Sequence, residues 1–457
     1  MRFTTINPAT GETIGSYKTV SSEESLRYAK AAKKSFEHWG KLDINERADY
    51  LNKLASSLRA KKEKFARLIT LEMGKPIKQS IAEIEKCAWT AEVYAKNGPE
   101  WLEKELFQTD AKRSEVIYQP LGMILSIMPW NFPFWQAIRF GIPTLLAANT
   151  TILINSRIVP QCAVAIKQTF MDAGFPDDVF SVIITDHSAV ETLIGSDYVD
   201  GVSFTGSVPV GLRIGELTGR YIKKLVLELG GSDPFIVLGD ANVEEAARNA
   251  AESRLINSGQ SCVAAKRFLI VEEIKEEFNE LFVRCLEKYK VGDPTEMETD
   301  VGPLVRKEHV QLVEAQLSDA MSKGGQILTG GEKMAGPGYF YLPTAIGNST
   351  SDMRVVREEV FGPIAPIISV QGRTDVVRVA NNSDFGLAAS LWTGDLECAS
   401  RLARLLDVGV VFINSIVKSD PRMPFGGVKK SGFGRELSKH GIREFVNVKG
   451  INIYPGS

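Results

Sequence analysis

The sequence predicts an α/β protein built on open, mostly parallel, doubly wound sheets. Three observations predict it. From residue 123 onward, short apolar runs alternate with amphipathic helical stretches. The runs are solidly apolar, as in strands covered by helices on both faces. The alternation then restarts at Pro234, just past Gly230-Gly231, with no low-complexity linker and no internal repeat. A chain of 457 residues has room for two or three domains at about 100–200 residues each.

Taken in order, residues 23–39 and 44–71 carry apolar positions at helical spacing, and Gly74-Lys75-Pro76 ends the second stretch. Residues 80–96 predict a third helix, stopping at Asn97-Gly98-Pro99. Residues 114–118 alternate, Gln119-Pro120-Leu121-Gly122 turns, and Met123–Met128 is a continuous apolar run. The first α/β round then takes in 150–154, 161–173, 179–184, 199–204 and 225–229. The second runs through 234–238, 243–256, 267–271, 276–289, 310–323, 365–370, 375–380, 388–392, 396–405 and 409–413. After Gly441 apolar and polar residues alternate, which predicts an edge strand.

Composition excludes several classes. Hydrophobic residues make up 44% and charged residues 24%, as in a soluble globular protein. A net charge of -2 offers no broad basic surface for nucleic acid or anionic membrane. Residues 1–10 lack the apolar core of a secretory signal. No uncharged apolar run reaches the roughly 18 residues of a membrane-spanning helix. Cys87, Cys162, Cys262, Cys285 and Cys398 are scattered and form no CxxC pair, which fits a reducing cytoplasm rather than a disulfide scaffold. The four histidines form no ligand-spaced cluster, so no metal is expected.

Four segments could carry chemistry, and each also has a structural reading. Cys262 follows Asn257-Ser258-Gly259-Gln260-Ser261 and precedes a strand. It is either a nucleophile with small neighbours or one of the many cysteines that are simply buried. Glu228 stands in an apolar strand before Gly230-Gly231. Desolvation there would make it a base near neutral pH, while an inter-domain ion pair would occupy the same place. Asn131, in Trp130-Asn131-Phe132-Pro133, follows a strand end, where its amide could donate to an oxyanion or form a turn. Ser203-Phe204-Thr205-Gly206-Ser207 leads from strand to helix, a place for pyrophosphate, although no full GxGxxG fingerprint is present.

The order of motifs resembles the aldehyde dehydrogenase superfamily over essentially the whole chain. The resemblance is carried by Ile6-Asn7-Pro8-Ala9-Thr10-Gly11-Glu12, Pro129-Trp130-Asn131-Phe132-Pro133, Phe204-Thr205-Gly206-Ser207, Leu227-Glu228-Leu229-Gly230-Gly231 and Gly259-Gln260-Ser261-Cys262. It continues with Glu358-Glu359-Val360-Phe361-Gly362-Pro363 and Pro424-Phe425-Gly426-Gly427-Val428-Lys429-Lys430-Ser431-Gly432. Within the superfamily, residues 129–136, 228–238 and 425–437 are most similar to the bacterial succinate semialdehyde dehydrogenases.

This resemblance implies an aldehyde dehydrogenase-like α/β fold with a doubly wound cofactor domain (1–110 and 126–229) and a catalytic α/β domain (230–423). A small β oligomerisation arm (111–125 and 441–457) and a return segment (424–440) complete it. It implies that Cys262 attacks the aldehyde, that Asn131 and the Cys262 N–H hold the oxyanion, that hydride passes to the nicotinamide, and that Glu228 activates water against the thioester. Enzymes that pass the acyl group to coenzyme A typically lack that glutamate. Trp130, Gly206 and Ser207 resemble the pyrophosphate contacts, and Glu359 with Phe361 the nicotinamide-ribose contacts. Arg139, Trp135, Ser261 and Asp420 are the implied substrate residues, with Arg139 on the carboxylate of succinate semialdehyde. Other small aldehydes (glyceraldehyde, lactaldehyde, glutarate semialdehyde) rank behind it. The family pairs through the arm, so a homodimer or homotetramer is expected.

The sequence departs from the family at the cofactor. Ile154 stands where a lysine for the adenosine ribose is usual, and Arg157 where a glutamate often faces the ribose 2′-OH. A guanidinium there suits a 2′-phosphate, so NADP is expected in preference to NAD; a solvated surface charge is the other reading of Arg157. Two rival classes follow. A cysteine hydrolase would want a histidine partner, and none lies in the motif segments. A non-enzymatic member of the fold would account for Ile154, but not for Cys262, Glu228 and Asn131 together.

Overall fold

The structure, a computed structural model, describes residues 2–455. Two sheets dominate it. The first has six strands in the order Gly432–Phe433, Lys224–Glu228, Gly201–Thr205, Met123–Met128, Thr150–Asn155, Phe180–Ile183. All neighbours are parallel except the Gly432–Phe433 edge. The second has seven, in the order Gln326–Thr329, Thr344–Gly347, Ile364–Val370, Arg267–Val271, Pro234–Val237, Ala388–Trp392, Val410–Ile413. It is parallel except at Gln326–Thr329. Helices cover the faces, so interior strands such as Thr150–Asn155 and Arg267–Val271 are buried at every position. Among the described residues, no helix is long and apolar enough to cross a membrane.

Two details differ from the sequence expectation. The helix expected over 44–71 is two, Ile44–Ala60 and Lys62–Met73, because Lys61 leaves helical geometry (φ -118°, ψ 16°). The third helix, Ile77–Trp101, runs through Asn97-Gly98-Pro99 instead of stopping there. Gly98 is a packing residue: a Cβ on it would lie 2.1 Å from Leu146 Cδ2.

The sequence reading also passed over the hairpin Arg2–Ile6 with Thr13–Lys18, whose turn is the Asn7–Gly11 stretch. The arm is a three-stranded antiparallel sheet of Glu105–Phe107, Arg113–Pro120 and Val446–Ile453. Residues 123–125, expected in that arm, pair instead within the six-stranded sheet. Residues 456 and 457 of the expected arm lie outside the described residues.

Two buried glutamates fix the helices beneath the first sheet. Glu83, on Ile77–Trp101, accepts from the N–H groups of Phe134 and Trp135 (both 2.9 Å) and pairs with the fully buried Lys75. It satisfies the orphan donors that open the helix Pro133–Leu146. Glu72 does the same for Gln161 and Cys162, opening Pro160–Asp172.

Candidate active site

Cys262 is delivered by a tightly constrained loop. Asn257, Ser258 and Gly259 take three successive left-handed conformations (φ 52°, 57°, 79°), geometry that Asn and Gly tolerate best. The loop is tied down on every side. Asn257 N–H donates to Gln79 Oε1 (2.8 Å), Gly302 N–H donates to Ser258 Oγ (2.9 Å), and Val305 N–H donates to Gln260 Oε1 (2.8 Å). Gly259 packs on Gly362, whose carbonyl oxygen would lie 2.3 Å from a Cβ. Beneath the cysteine, the fully buried Lys266 Nζ donates to the carbonyls of Ser261 (2.9 Å) and Cys262 (2.7 Å). Such over-determination is what strained backbone requires.

The Cys262 thiol opens onto a cavity of about 350 Å³ whose wall includes Trp135, Arg139, Ser261, Lys86 and Phe425. Burial pushes the thiol up to about 12, with Lys266 and Arg139 pulling it down. Asn131 lies alongside: its Nδ2 donates to Gln260 O (3.1 Å), leaving its second N–H free. The Cys262 N–H meets no acceptor among the described residues. Two donors on or against the Cys262 loop are thus uncommitted. The Ser261 hydroxyl, fully buried, is also without a partner. Trp135 forms part of the wall, with Lys86 Nζ 4.3 Å from its ring centroid.

Glu228 ends the strand Lys224–Glu228 and is buried. Its Oε1 has no hydrogen-bond partner and lies beside Gly426. Burial, helped by Glu436 and opposed by Arg139 and Arg435, raises its pKa to about 8. The chain then runs through Gly230 and Gly231 between two other site groups. A Cβ on Gly231 would lie 2.9 Å from Cys262 O, and one on Gly230 2.3 Å from Glu359 Oε2. Only glycine lets this segment pass there. Glu359 Oε1 accepts from the Gly231 N–H (3.1 Å) and sits 3.6 Å from Lys266 Nζ. Phe361 and Trp130 meet edge to face at 5.7 Å.

A second opening lies at the C-terminal ends of Met123–Met128 and Thr150–Asn155, where open α/β sheets bind ligands. This cleft, of about 260 Å³, is lined by Ile154, Ser156, Arg157, His187 and Arg306 among others. Neither guanidinium has an ion-pair partner among the described residues. Asp186, also in the wall, caps its own helix through Ser188 N–H (3.1 Å) and Ala189 N–H (3.3 Å). Gly206 N–H donates to Glu228 O (3.0 Å), which ties the Thr205–Ser207 turn to the base of the cysteine site. Ser207 precedes the helix Val208–Arg220 and makes no side-chain cap.

Residues 1–451 match the model of the aldehyde dehydrogenase family. The chain belongs to this family. It is 42% identical over 451 residues to a probable NADP⁺ succinate-semialdehyde dehydrogenase of Synechocystis, spanning 99% of each chain. It is 43% identical over 446 residues to an NAD(P)⁺ succinate semialdehyde dehydrogenase of Escherichia coli, spanning 98% of this chain and 96% of that one. Its structure superposes with a TM-score of 0.97 on the succinic semialdehyde dehydrogenase of Streptococcus pyogenes in complex with NADP⁺, at 33% identity over 99% of this chain and 100% of that one.

In this aldehyde dehydrogenase, Cys262, Ser261, Trp135 and Arg139 line one cavity, Asn131 is tied to the Cys262 loop through Gln260 O, and Arg157 lines the second cleft. Two expected residues are engaged elsewhere. Asp420 does not face the cavity, because Arg422 holds both of its carboxylate oxygens (2.9 and 2.6 Å). Arg139 is in the wall, but its guanidinium pairs with buried Glu436. The Glu228 carboxyl stands beside that pair rather than in the cavity wall. Sequence reasoning passed over Lys86, Lys266 and Arg306. The one available signal was that Lys86 adjoins the apolar stripe of Ile84, Cys87, Ala88 and Ala91 on its helix.

Proposed function

We propose that this chain oxidises succinate semialdehyde to succinate, using NADP in preference to NAD. The observation that carries the substrate is the pair of cationic side chains, Lys86 and Arg139, in the wall of the Cys262 cavity; the names of the relatives agree with it. The cofactor reading rests on the second cleft. Arg157 and Arg306, unpaired and facing one space, suit the 2′-phosphate. The free helix N-terminus at Ser207 suits the pyrophosphate, and Glu359, with Trp130 and Phe361 beside it, the nicotinamide end. Ile154 adds only an apolar surface to the cleft wall. NADP, when bound, supplies the hydride acceptor.

The chain's own groups do the rest. Cys262 loses its proton, and its sulfur bonds to the aldehyde carbon. The alkoxide that forms is held by the second N–H of Asn131 and by the Cys262 N–H. Loss of hydride leaves a thioester on Cys262. Glu228 takes a proton from water, which adds to the thioester carbon; the C–S bond breaks and succinate leaves. Because the Glu228 carboxyl stands beside Gly426, this step requires its side chain to swing toward the cavity. On this reading the six-stranded sheet carries the cofactor domain, 1–104 and 123–229, and the seven-stranded sheet the catalytic domain, 230–423. The return segment, 424–440, brings Gly432–Phe433 back to the first. The arm, with Leu106, Phe107, Val448 and Ile453 exposed, pairs with a second copy in a homodimer or homotetramer. Five free cysteines suit a cytoplasmic enzyme.

The test is purified enzyme with succinate semialdehyde, followed by absorbance of the reduced cofactor with NADP and NAD in parallel. Faster reduction with NADP is expected. Activity on other small aldehydes but not this one would discard the substrate and keep the mechanism. Silence with every aldehyde would discard the catalytic reading.

A further inference from the structure

Lys266 keeps a fully buried charge just before the strand Arg267–Val271. Its Nζ donates to the carbonyls of Ser261 (2.9 Å), Cys262 (2.7 Å) and Ala264 (3.2 Å). A carbonyl only accepts, so three of them around one nitrogen call for three N–H groups, which the ammonium has and the neutral amine lacks. Glu359 Oε1, 3.6 Å away, supplies a negative charge. Asp233 adds a second acid, and Arg254 acts against both. The hydrogen bonds thus hold a positive charge beneath the Cys262 loop.

The choice of carbonyls has a consequence for Cys262. The Ser261 C=O and the Cys262 N–H belong to one peptide group, and across a trans peptide the two point in opposite directions. A donor seated on the Ser261 oxygen therefore fixes the plane from which the Cys262 N–H projects, on the side away from Lys266. It also polarises the peptide and makes that N–H a stronger donor. The Cys262 carbonyl, held by the same ammonium, is closed in by Gly231, where a Cβ would lie 2.9 Å from it. The sulfur lies between the two clamped peptides. Burial raises its pKa; among the charged groups Lys266 opposes that rise most, then Arg139, while Glu359 and Asp233 add to it.

We propose that Lys266 is a positioning residue for the first chemical step, aiming and strengthening the Cys262 N–H that meets the developing oxyanion. The same charge favours the thiolate over the thiol. When the thiolate adds to the aldehyde carbon, the carbonyl π pair moves onto oxygen, and that oxygen meets a donor already turned toward it. Lys266 itself neither touches the substrate nor gives up its proton. This role rests on the reading of Cys262 as the nucleophile.

The test has two readouts. Cofactor-free enzyme is treated with iodoacetamide at about pH 8, and the Cys262 peptide is followed by mass spectrometry. Lys266→Met should slow its alkylation about 10-fold and Glu359→Gln should speed it, because one removes a cation and the other an acid. A loop that had merely loosened would move both variants the same way. With NADP and aldehyde, the first-turnover burst of Lys266→Met should fall by about 10–100-fold, short of the full loss of an oxyanion donor. KM for the aldehyde should change by less than about threefold. Lys266→Gln keeps a neutral donor under the carbonyls, so it should recover part of the burst but not the alkylation rate. It also carries the test if urea titration shows that Lys266→Met does not fold. Lys266 variants that alkylate and burst at wild-type rates would overturn the proposal. So would Lys266→Met and Glu359→Gln moving alkylation in the same direction, which would leave Lys266 as a fastener of the loop. A wild type that still turns over with Cys262 alkylated would instead overturn the nucleophile reading, and this role with it.

Discussion

The Cys262 cavity and the cleft at the strand ends treat charge in opposite ways. Around the cavity the fully buried charges are paired within the protein: Lys75 with Glu83, Arg139 with Glu436, and Lys266 with Glu359 and three carbonyls; Lys86, less deeply buried, has only the Ser419 hydroxyl. In the cleft, Arg157 and Arg306 face the same space with no acid bound to either; burial, with Arg157 adding to it and Glu308 opposing, pushes the Arg306 guanidinium down. Buried charge without a partner is costly, so the cavity must be satisfied before any ligand arrives. The half-exposed cleft can leave its cations to water until an anion displaces it. Paired charges therefore set the shape of the reacting site, and unpaired ones choose what binds beside it. Substitutions in the two regions should fail in different ways.

The largest effect is expected at the reacting centre. Glu228→Gln should keep the first-turnover burst of reduced cofactor and slow steady turnover by about 10²–10⁴-fold, the usual worth of a positioned base. The pH profile gives the sign. Glu228 accepts a proton only when ionised, and its pKa is raised to about 8. Wild-type steady turnover should therefore climb as pH rises through 8 and level off above it, and the variant should lose that limb. Glu436 and Glu444 push Glu228 up, while Arg139 and Arg435 pull it down. Rapid-quench and steady-state rates across pH 6–10 measure both. An unchanged steady rate in the variant would remove Glu228 from the hydrolytic step.

Next comes the scaffold of the cavity. Glu83→Gln leaves Lys75 buried without a counter-charge and weakens the cap on the helix that carries Trp135 and Arg139. A loss of about 3–5 kcal/mol in unfolding free energy is expected, read by urea titration. Glu85→Gln on the same helix breaks only half-exposed pairs with Arg59 and Lys62. It should cost less than about 1 kcal/mol. Equal losses would mean that the buried pair is not what holds this wall.

The same contrast explains what could be read from the sequence. Strands buried on both faces, such as Met123–Met128, Arg267–Val271 and Ala388–Trp392, are solid apolar runs and were legible to the residue. Gln326–Thr329 is a partly exposed edge with a polar start, and the hairpin Arg2–Ile6 mixes charge and threonine; neither carries a clear period. Cys262, Glu228 and Asn131 were legible only together, through the order of their motifs, because each has a commonplace structural use. Lys86, Lys266 and Arg306 left almost no trace. Lysine and arginine are solvated by default, and only the packed helix and loops show which of them are turned inward.

The smallest effect, and the sharpest test of the contrast, is in the cleft. If Arg157 and Arg306 wait for an anion, removing either relieves repulsion in the free protein. Arg306→Ala should therefore leave the urea midpoint unchanged or slightly raised, unlike any substitution in the cavity scaffold. It should at the same time weaken binding of NADP by about tenfold and of NAD by far less, since only NADP carries the 2′-phosphate. Titration calorimetry with the two dinucleotides and with 2′,5′-ADP, in the absence of aldehyde, separates binding from turnover. Arg157→Ala should behave alike, and the double variant should bind NADP and NAD about equally. If Arg306→Ala instead unfolds more readily and binds both dinucleotides equally poorly, Arg306 is part of the frame, and selectivity for the phosphate rests on Arg157 alone.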